Sequence, residues 1–352
     1  MKRGMKKYHG ITLLVILGIV SLYIIKLYND KLTTKNNIEY SIGVIETSAV
    51  NENSYVNLYS FDGELNGIIK MKVSDINSGF LFPVRDGDNI YLNSQGTYKS
   101  GNDEVVEYNL GNNKYSTHKI SAAIISLDKY ENYIFTTSNS SINKYDINSK
   151  EIVNSITIPA FPSHINIVNG QLYAFSQLIS DKNSSVLYII DIDSMEILKT
   201  MPLKDRSFQA DSLQVNDNIY FTNWFDTADS EINSLSKYNI QTGILTDIKL
   251  SNGSNQLKIK DNNLFISNFN PVQRTGNSIN ILNLEDDSIK KVLNFNHRVE
   301  DFDIYEDKLI ILDDYKIYIY QLNDYYGADL INEFNVKNTN NKNYRISGFF
   351  IN

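Results

Sequence analysis

A turn followed by a short apolar strand recurs along this chain at a nearly constant interval, and that interval restricts the fold more than any other feature. The segments are DNIYLNS (88–94), ENYIFTTS (131–138), GQLYAFS (170–176), DNIYFTN (217–223), NNLFISN (262–268) and DKLIILD (307–313). Taking Tyr91, Ile134, Tyr173, Tyr220, Phe265 and Ile310 as equivalent positions gives separations of 43, 39, 47, 45 and 45 residues. Ile45, in YSIGVIETS, lies 46 residues before Tyr91. Seven units at such a spacing are a structural repeat, and a repeat must be recognised before any local assignment.

Every unit has the same interior. The anchor strand leads through a loop to a second run such as EVVEYNL, SINKYDI, SLSKYNI or SINILNL. Turns such as Asn148-Ser149-Lys150 or Gln241-Thr242-Gly243 then lead to a third run, and HINIVNG, SLQVND, QLKIKD or DFDIYED precedes the next anchor. Runs of 5–8 alternating, β-branched and aromatic residues bounded by Asn, Asp, Gly or Ser are strand signals. The chain holds 24 Tyr and 46 Asn, the latter a residue that tolerates left-handed turns. Four antiparallel strands per unit of about 40–45 residues predict an all-β, seven-bladed β-propeller. The first unit supplies only three strands, and Tyr344–Asn352 (YRISGFFIN) stands alone at the end. Pairing that orphan with blade 1 closes the ring and removes two open sheet edges. Two separate β-sandwiches would leave both the spacing and the orphan strand unexplained.

The pattern hydrophobic-x-Tyr-Asp-Ile-x-x-(Lys/Gly)-x-Ile, clearest in INKYDINSKEIVNSI and SKYNIQTGILTDI, resembles the repeats of the YVTN and quinoprotein-like propeller superfamily over roughly residues 40–352. The resemblance implies architecture. Quinone-binding dehydrogenases of that group use recurrent Trp residues, whereas this chain has one, Trp224, so no quinone or other cofactor is expected. Seven-bladed relatives include lactonases, lyases and dehydrogenases with sites at the channel mouth.

Residues 1–10 are basic (Lys2, Arg3, Lys6, Lys7), and Ile11 to Ile25 is an almost unbroken apolar run, extended to Tyr28 if Lys26 snorkels. About 18 residues at 1.5 Å each just cross a hydrocarbon core. The residues after the run offer no small-x-small cleavage site, so an uncleaved anchor fits better than a cleaved signal. The expected organisation is a cytoplasmic segment 1–10, a transmembrane helix 11–28, a linker 29–39 and a propeller 40–352 on the extracytoplasmic side of the membrane. Without residues 1–28, which carry five Lys and Arg, the rest holds 28 basic against 41 acidic residues. That balance excludes nucleic acid as a partner, since phosphate contacts need Lys and Arg. There is no Cys, which rules out disulfides, thiolate metal sites and a cysteine nucleophile.

In a propeller of this order the chain enters blade 1 at its second strand, and the opposite face carries the inter-blade connections and the longer loops. Those loops are Gln95 to Asp103, Gln177 to Ser185, Trp224 to Asn233 and Asn270 to Asn277. Loops on a rigid scaffold commonly carry function. Aligning innermost strands on their anchors places His164, Asp211, Gln256 and Asp301 at one level, and Asn166, Lys258 and Asp303 one pleat deeper. Phe82, Val84, Ile125 and Leu127 take these places in blades 2 and 3, predicting a funnel that is half polar and half apolar. The seven polar residues are the candidate ligand-binding set. Trp224, Phe225, Arg274, His297 and Arg298 are candidate contacts on the distal loops. His118 is read as solvent-facing, and Asp313-Asp314 as turn chemistry. His164, Asp211 and Asp301 lie too far apart around a ring to be a metal site, and no catalytic constellation emerges. The residues point to a membrane-anchored binding or scaffold module for a protein, peptide or glycan; the alternative is a propeller enzyme.

Overall fold

Strands that bury alternate residues on both faces, joined by turns that accept left-handed backbone, stack into blades because no single sheet can cover its own apolar faces. The computed structural model describes residues 38–77, 82–97, 104–120, 124–178, 185–204, 206, 208–224, 232–336 and 343–352. The expected anchor at 11–28, its basic flank and the linker to residue 37 lie outside them. No helix among the described residues is long and apolar enough to cross a membrane.

The fold is a seven-bladed propeller of four-stranded antiparallel sheets. Blade 1 contains β1 (Ile42–Thr47), β2 (Ser54–Tyr59) and β3 (Leu65–Met71). Blade 2 follows with β4 (Val84–Asp86), β5 (Asn89–Ser94), β6 (Glu104–Asn109) and β7 (Lys114–Lys119), and blade 3 with β8 (Ser126–Tyr130), β9 (Tyr133–Ser138), β10 (Ser141–Asp146) and β11 (Glu151–Thr157). Blade 4 is β12 (Ala160–Val168), β13 (Gln171–Leu178), β14 (Ser185–Asp191) and β15 (Ile197–Leu203); blade 5 is β16 (Ser212–Val215), β17 (Asn218–Thr222), β18 (Ser234–Asn239) and β19 (Leu245–Lys249). Blade 6 comprises β20 (Leu257–Lys260), β21 (Asn263–Ser267), β22 (Ser278–Asn283) and β23 (Ile289–Asn294). Blade 7 comprises β24 (Asp301–Tyr305), β25 (Lys308–Asp313), β26 (Lys316–Leu322) and β27 (Ala328–Asn335). The last strand, β28 (Arg345–Ile351), pairs antiparallel with β1 and is the innermost strand of blade 1.

Turn chemistry sets the hairpins. Gly87, Glu131, Asn169, Asn216, Asp261 and Glu306 take positive φ between first and second strands, and Asn113, Lys150, Met195, Gly243, Asp287 and Tyr326 do so between third and fourth. Asn, Asp and Gly accept that conformation at little cost. One register differs from the sequence alignment. In blade 3 Tyr130 faces Tyr133 across its turn, as Val215 faces Asn218 in blade 5. Phe135, not Ile134, is therefore the equivalent of Tyr220, and Ser126 and Asp128, not Ile125 and Leu127, occupy the channel positions. Asn132 is the second residue of its turn, whereas Asn218 is the first residue of its strand, so matching the Asn of ENYIFTTS with that of DNIYFTN slips the register by one.

The cores lie between blades. β28 shows why: Val44 faces Phe349 and Gly43 faces Phe350, and successive side chains on a strand point to opposite sides. Phe349 joins Ile310 and Ile319 of blade 7. Phe350 joins the blade 1–2 core, its ring 5.3 Å from that of Tyr108 and 6.4 Å from that of Tyr40. Gly43 leaves room for this ring, since a Cβ there would lie 2.5 Å from it. Burying each Phe is worth about 1.5–3 kcal/mol, so the last strand locks the first blade to both its neighbours.

Candidate functional site

The innermost strands present an edge to the central channel, and their amides need acceptors. Polar side chains of the preceding blade supply them. Asp211 Oδ2 accepts from Leu257 N at 2.7 Å, Gln256 Oε1 from Phe302 N at 3.0 Å and Asp301 Oδ2 from Phe349 N at 3.3 Å. Ser126 Oγ accepts from Ile165 N at 3.1 Å and Asp128 Oδ2 from Ile167 N at 2.6 Å. Gln256 Nε2 also donates to Asp301 Oδ1 at 2.8 Å. His164 Nε2 lies 2.8 Å from Ser212 Oγ, and Asn166 Nδ2 donates to the same hydroxyl at 2.9 Å. Lys258 and Asp303 form an ion pair at 3.1 Å. All seven predicted channel residues thus line the inner strands, and each spends part of its hydrogen-bonding capacity joining one blade to the next. Asp128 was missed because of the one-residue register difference in blade 3; with Phe135 as anchor the repeat itself would have found it.

Burial dominates the electrostatics here. It pushes the Asp211 carboxyl up to about 7, and those of Asp301 and Asp128 up to about 6. It lowers His164 to about 3, so the imidazole is neutral, stacked on Phe175 with ring centroids 5.8 Å apart. Burial opposes the Lys258 charge, but the carboxylates of Asp303, Asp301 and Asp211 outweigh it and hold the ammonium above its ordinary value. A channel cavity of about 140 Å³ is lined by Phe82 and Val84 of blade 2, by Ser126, Leu127 and Asp128 of blade 3 and by His164, Asn166 and Asp211, so the expected apolar sector shrinks to blade 2 because the channel positions of blade 3 are polar.

The channel opens on the face that carries the inter-blade connections. There a cavity of about 250 Å³ is lined by Asn77, Asn255, Asp301, Arg274, Glu300 and Arg345, with Phe82, Phe269, Pro271, Leu312 and Ile346, and by Ser347 and Gly348 of β28. Arg274, with half of its side chain exposed, pairs with Glu300 at 2.6 Å and with Asp314. Arg298 pairs with Asp313 at 2.7 Å, Glu300 at 3.4 Å and Asp314. Arg345 meets Asp75 at 2.9 Å. Glu300, Asp313 and Asp314 are the one group of carboxylates among the described residues close enough to share an ion, and the two guanidiniums already bring positive charge to it. Asp313 and Asp314 therefore do more than form a turn.

The other distal candidates divide. Arg274 reaches the mouth cavity. Trp224 is buried and stacks on Phe208, centroids 4.8 Å apart, and Phe225 lies outside the described residues. His297 stacks on Tyr318 at 3.6 Å, with its ring nitrogens 2.7 Å from the Tyr320 hydroxyl and 2.8 Å from the Arg298 carbonyl. Burial lowers its pKa, and it serves to pack blade 7. His118 is not solvent-facing. It is buried against Tyr145 of blade 3 and bonded to Glu107 at 2.9 Å, because outer strands still pack sideways on the next blade.

The fold and its axial channel define a seven-bladed β-propeller. No protein-family model matches the chain, and no curated protein matches it in sequence. Among solved structures it is similar to BamB from Moraxella catarrhalis, at 11% identity and a TM-score of 0.51, over 85% of this chain and 86% of that one. It is also similar to a candidate 6-phosphogluconolactonase from Bacteroides fragilis, at 13% identity and a TM-score of 0.62, over 90% and 98% of the two chains. The Pan2 WD40 domain of Neurospora crassa aligns at 11% identity and a TM-score of 0.53, over 78% and 86%. At such identities the likeness is one of fold.

Proposed function

We propose that the chain is a membrane-anchored, extracytoplasmic binding module that takes a protein, peptide or glycan ligand at the mouth of its channel. The observation that carries this reading is the mouth cavity, where paired charges, amides and aromatic or apolar groups converge on the face away from the point where the chain enters the propeller. Mixed polar and apolar concavities of this kind suit recognition. The basic residues 2–7 and the apolar run 11–25 support the anchor, and the short linker to residue 38 would hold the opposite face toward the bilayer. A photoreactive amino acid at Phe269 in the mouth should crosslink a defined partner in membranes, whereas one at Gln241, in a turn on the opposite face, should not. Equal capture from both positions, or capture from neither, overturns the reading.

A second reading rests on Asp211, a channel carboxyl whose pKa of about 7 suits proton transfer at neutral pH. An enzyme of lactonase type would hydrolyse a sugar lactone faster than the Asp211→Asn variant does.

A further inference from the structure

We infer that the face where the chain enters the propeller rests on the lipid bilayer itself, through an apolar stripe along the outer rim of blades 3, 4 and 5; this rests on, and narrows, the membrane-anchored reading above. Among the described residues thirteen large apolar side chains are exposed, and all but Val50, Val272 and Tyr315 lie in the half of the ring toward the entry point. Scattered apolar residues are ordinary on a surface, whereas a contiguous patch marks an interface. Five of the ten are contiguous. Ile152 and Val153 lie at the start of β11, Ile197 and Leu198 open β15, and Ile244 immediately precedes β19; they are 40–58% exposed. Two contacts join the three blades at this level. Asn154 Nδ2 donates to the Ser194 carbonyl at 3.3 Å, and Lys199 Nζ donates to the Tyr238 hydroxyl at 3.3 Å, beside Gly243. Each apolar pair therefore leads to the next around the rim.

The shape and charge of the stripe select a bilayer. The rim of a ring of blades is convex, so it offers no groove to a helix or a peptide, while a fluid lipid surface moulds to it. Lys150 and Lys199 stand among Glu151, Asp193 and Glu196, a near balance that gives anionic headgroups no hold and makes the contact one of apolar burial at the acyl boundary. The lysine stems can extend past the apolar groups and keep their ammonium ends among the headgroups. The chain that precedes the entry point supplies the same partner. It carries the apolar run 11–25 and joins the propeller through residues 29–37, which span roughly 30 Å at full extension. Blade 1, where the chain enters, lies across the ring from blades 4 and 5. Tether and stripe thus support opposite edges of one face, and the mouth is held outward.

The chain has no Cys, so a single environment-sensitive fluorophore can be attached at Leu198→Cys or, on the mouth side, at Val272→Cys. The test uses these full-length chains reconstituted in phosphatidylcholine liposomes. Iodide in the water should quench the probe at Leu198→Cys about threefold or more weakly than the probe at Val272→Cys, and a lipid bearing a headgroup nitroxide should quench the first alone. Adding Ile152→Ser and Ile244→Ser should raise iodide quenching at Leu198→Cys by about twofold or more, since less apolar area holds the rim down; if that variant does not fold, the comparison of the two probe positions decides alone. Equal iodide quenching at the two positions overturns the assignment. So does shielding from iodide without nitroxide quenching, which would mean a second copy or the chain's own apolar run as the cover, and so does shielding that requires anionic lipid. If the chain floats with the liposomes while the Leu198→Cys probe stays in water, the anchor stands and only the seat falls; if the chain does not float, both fall.

Discussion

Asp211 shows how one side chain in this ring ties the joining of two blades to pH. Its carboxyl bridges blade 5 to the Leu257 amide of blade 6, yet burial holds its proton to about pH 7. The unfolded chain releases that proton near 3.8, so the folded state binds more protons between the two values. The stabilising contribution is therefore complete below about pH 4 and lost as pH rises through 7. Asp211→Asn keeps the acceptor for Leu257 without the charge. Denaturant midpoints should show the variant more stable than the parent at pH 8, by up to about 4 kcal/mol, with the gap narrowing below pH 7 and closing near pH 4. A gap that is constant with pH would contradict the burial argument. His164 acts in the opposite direction: its depressed pKa gives stability present above the ordinary imidazole value of 6.5 and lost as pH falls. Both histidine and carboxylate were visible in the sequence as a polar row, but their partners were not, since the amides they serve belong to another blade.

At the level of elements, β28 carries the closure. Its alternating Phe349 and Phe350 were readable as strand residues, and its pairing with β1 follows from a blade that begins one strand short. Phe349→Ala should cost about 3–5 kcal/mol, read as a fall in the denaturation midpoint. Removing residues 343–352 uncovers the β1 edge and the blade 7 core together. The truncated chain should elute as aggregate on size exclusion, and adding a synthetic 343–352 peptide should restore a monomer-sized species. A truncated chain that stays monomeric and folded would show that closure does not depend on this strand. Blade 3 marks the limit of reading elements from pattern. Its turn is Glu131-Asn132, whereas in blade 5 the turn is Asn216-Asp217 and Asn218 opens the strand, so matching Asn with Asn shifts the register by one, and a shift of one exchanges faces.

For the molecule as a whole, the absence of cysteine makes its placement directly measurable. A single cysteine replacing Tyr325, which is 87% exposed, should react with a membrane-impermeant maleimide in intact cells if the propeller is extracytoplasmic. Labelling that requires lysis would refute that placement. The sequence by itself determined the number of blades, their strand order and the face on which the longer loops gather, because period, alternation and turn residues are local properties of the chain. Only the tertiary structure decided which channel side chains are consumed in joining blades, Asp128 of blade 3 among them. That division depends on atoms distant in the chain, as when Asn77 donates to the Ser347 carbonyl 270 residues away, and no local pattern encodes the distance between them.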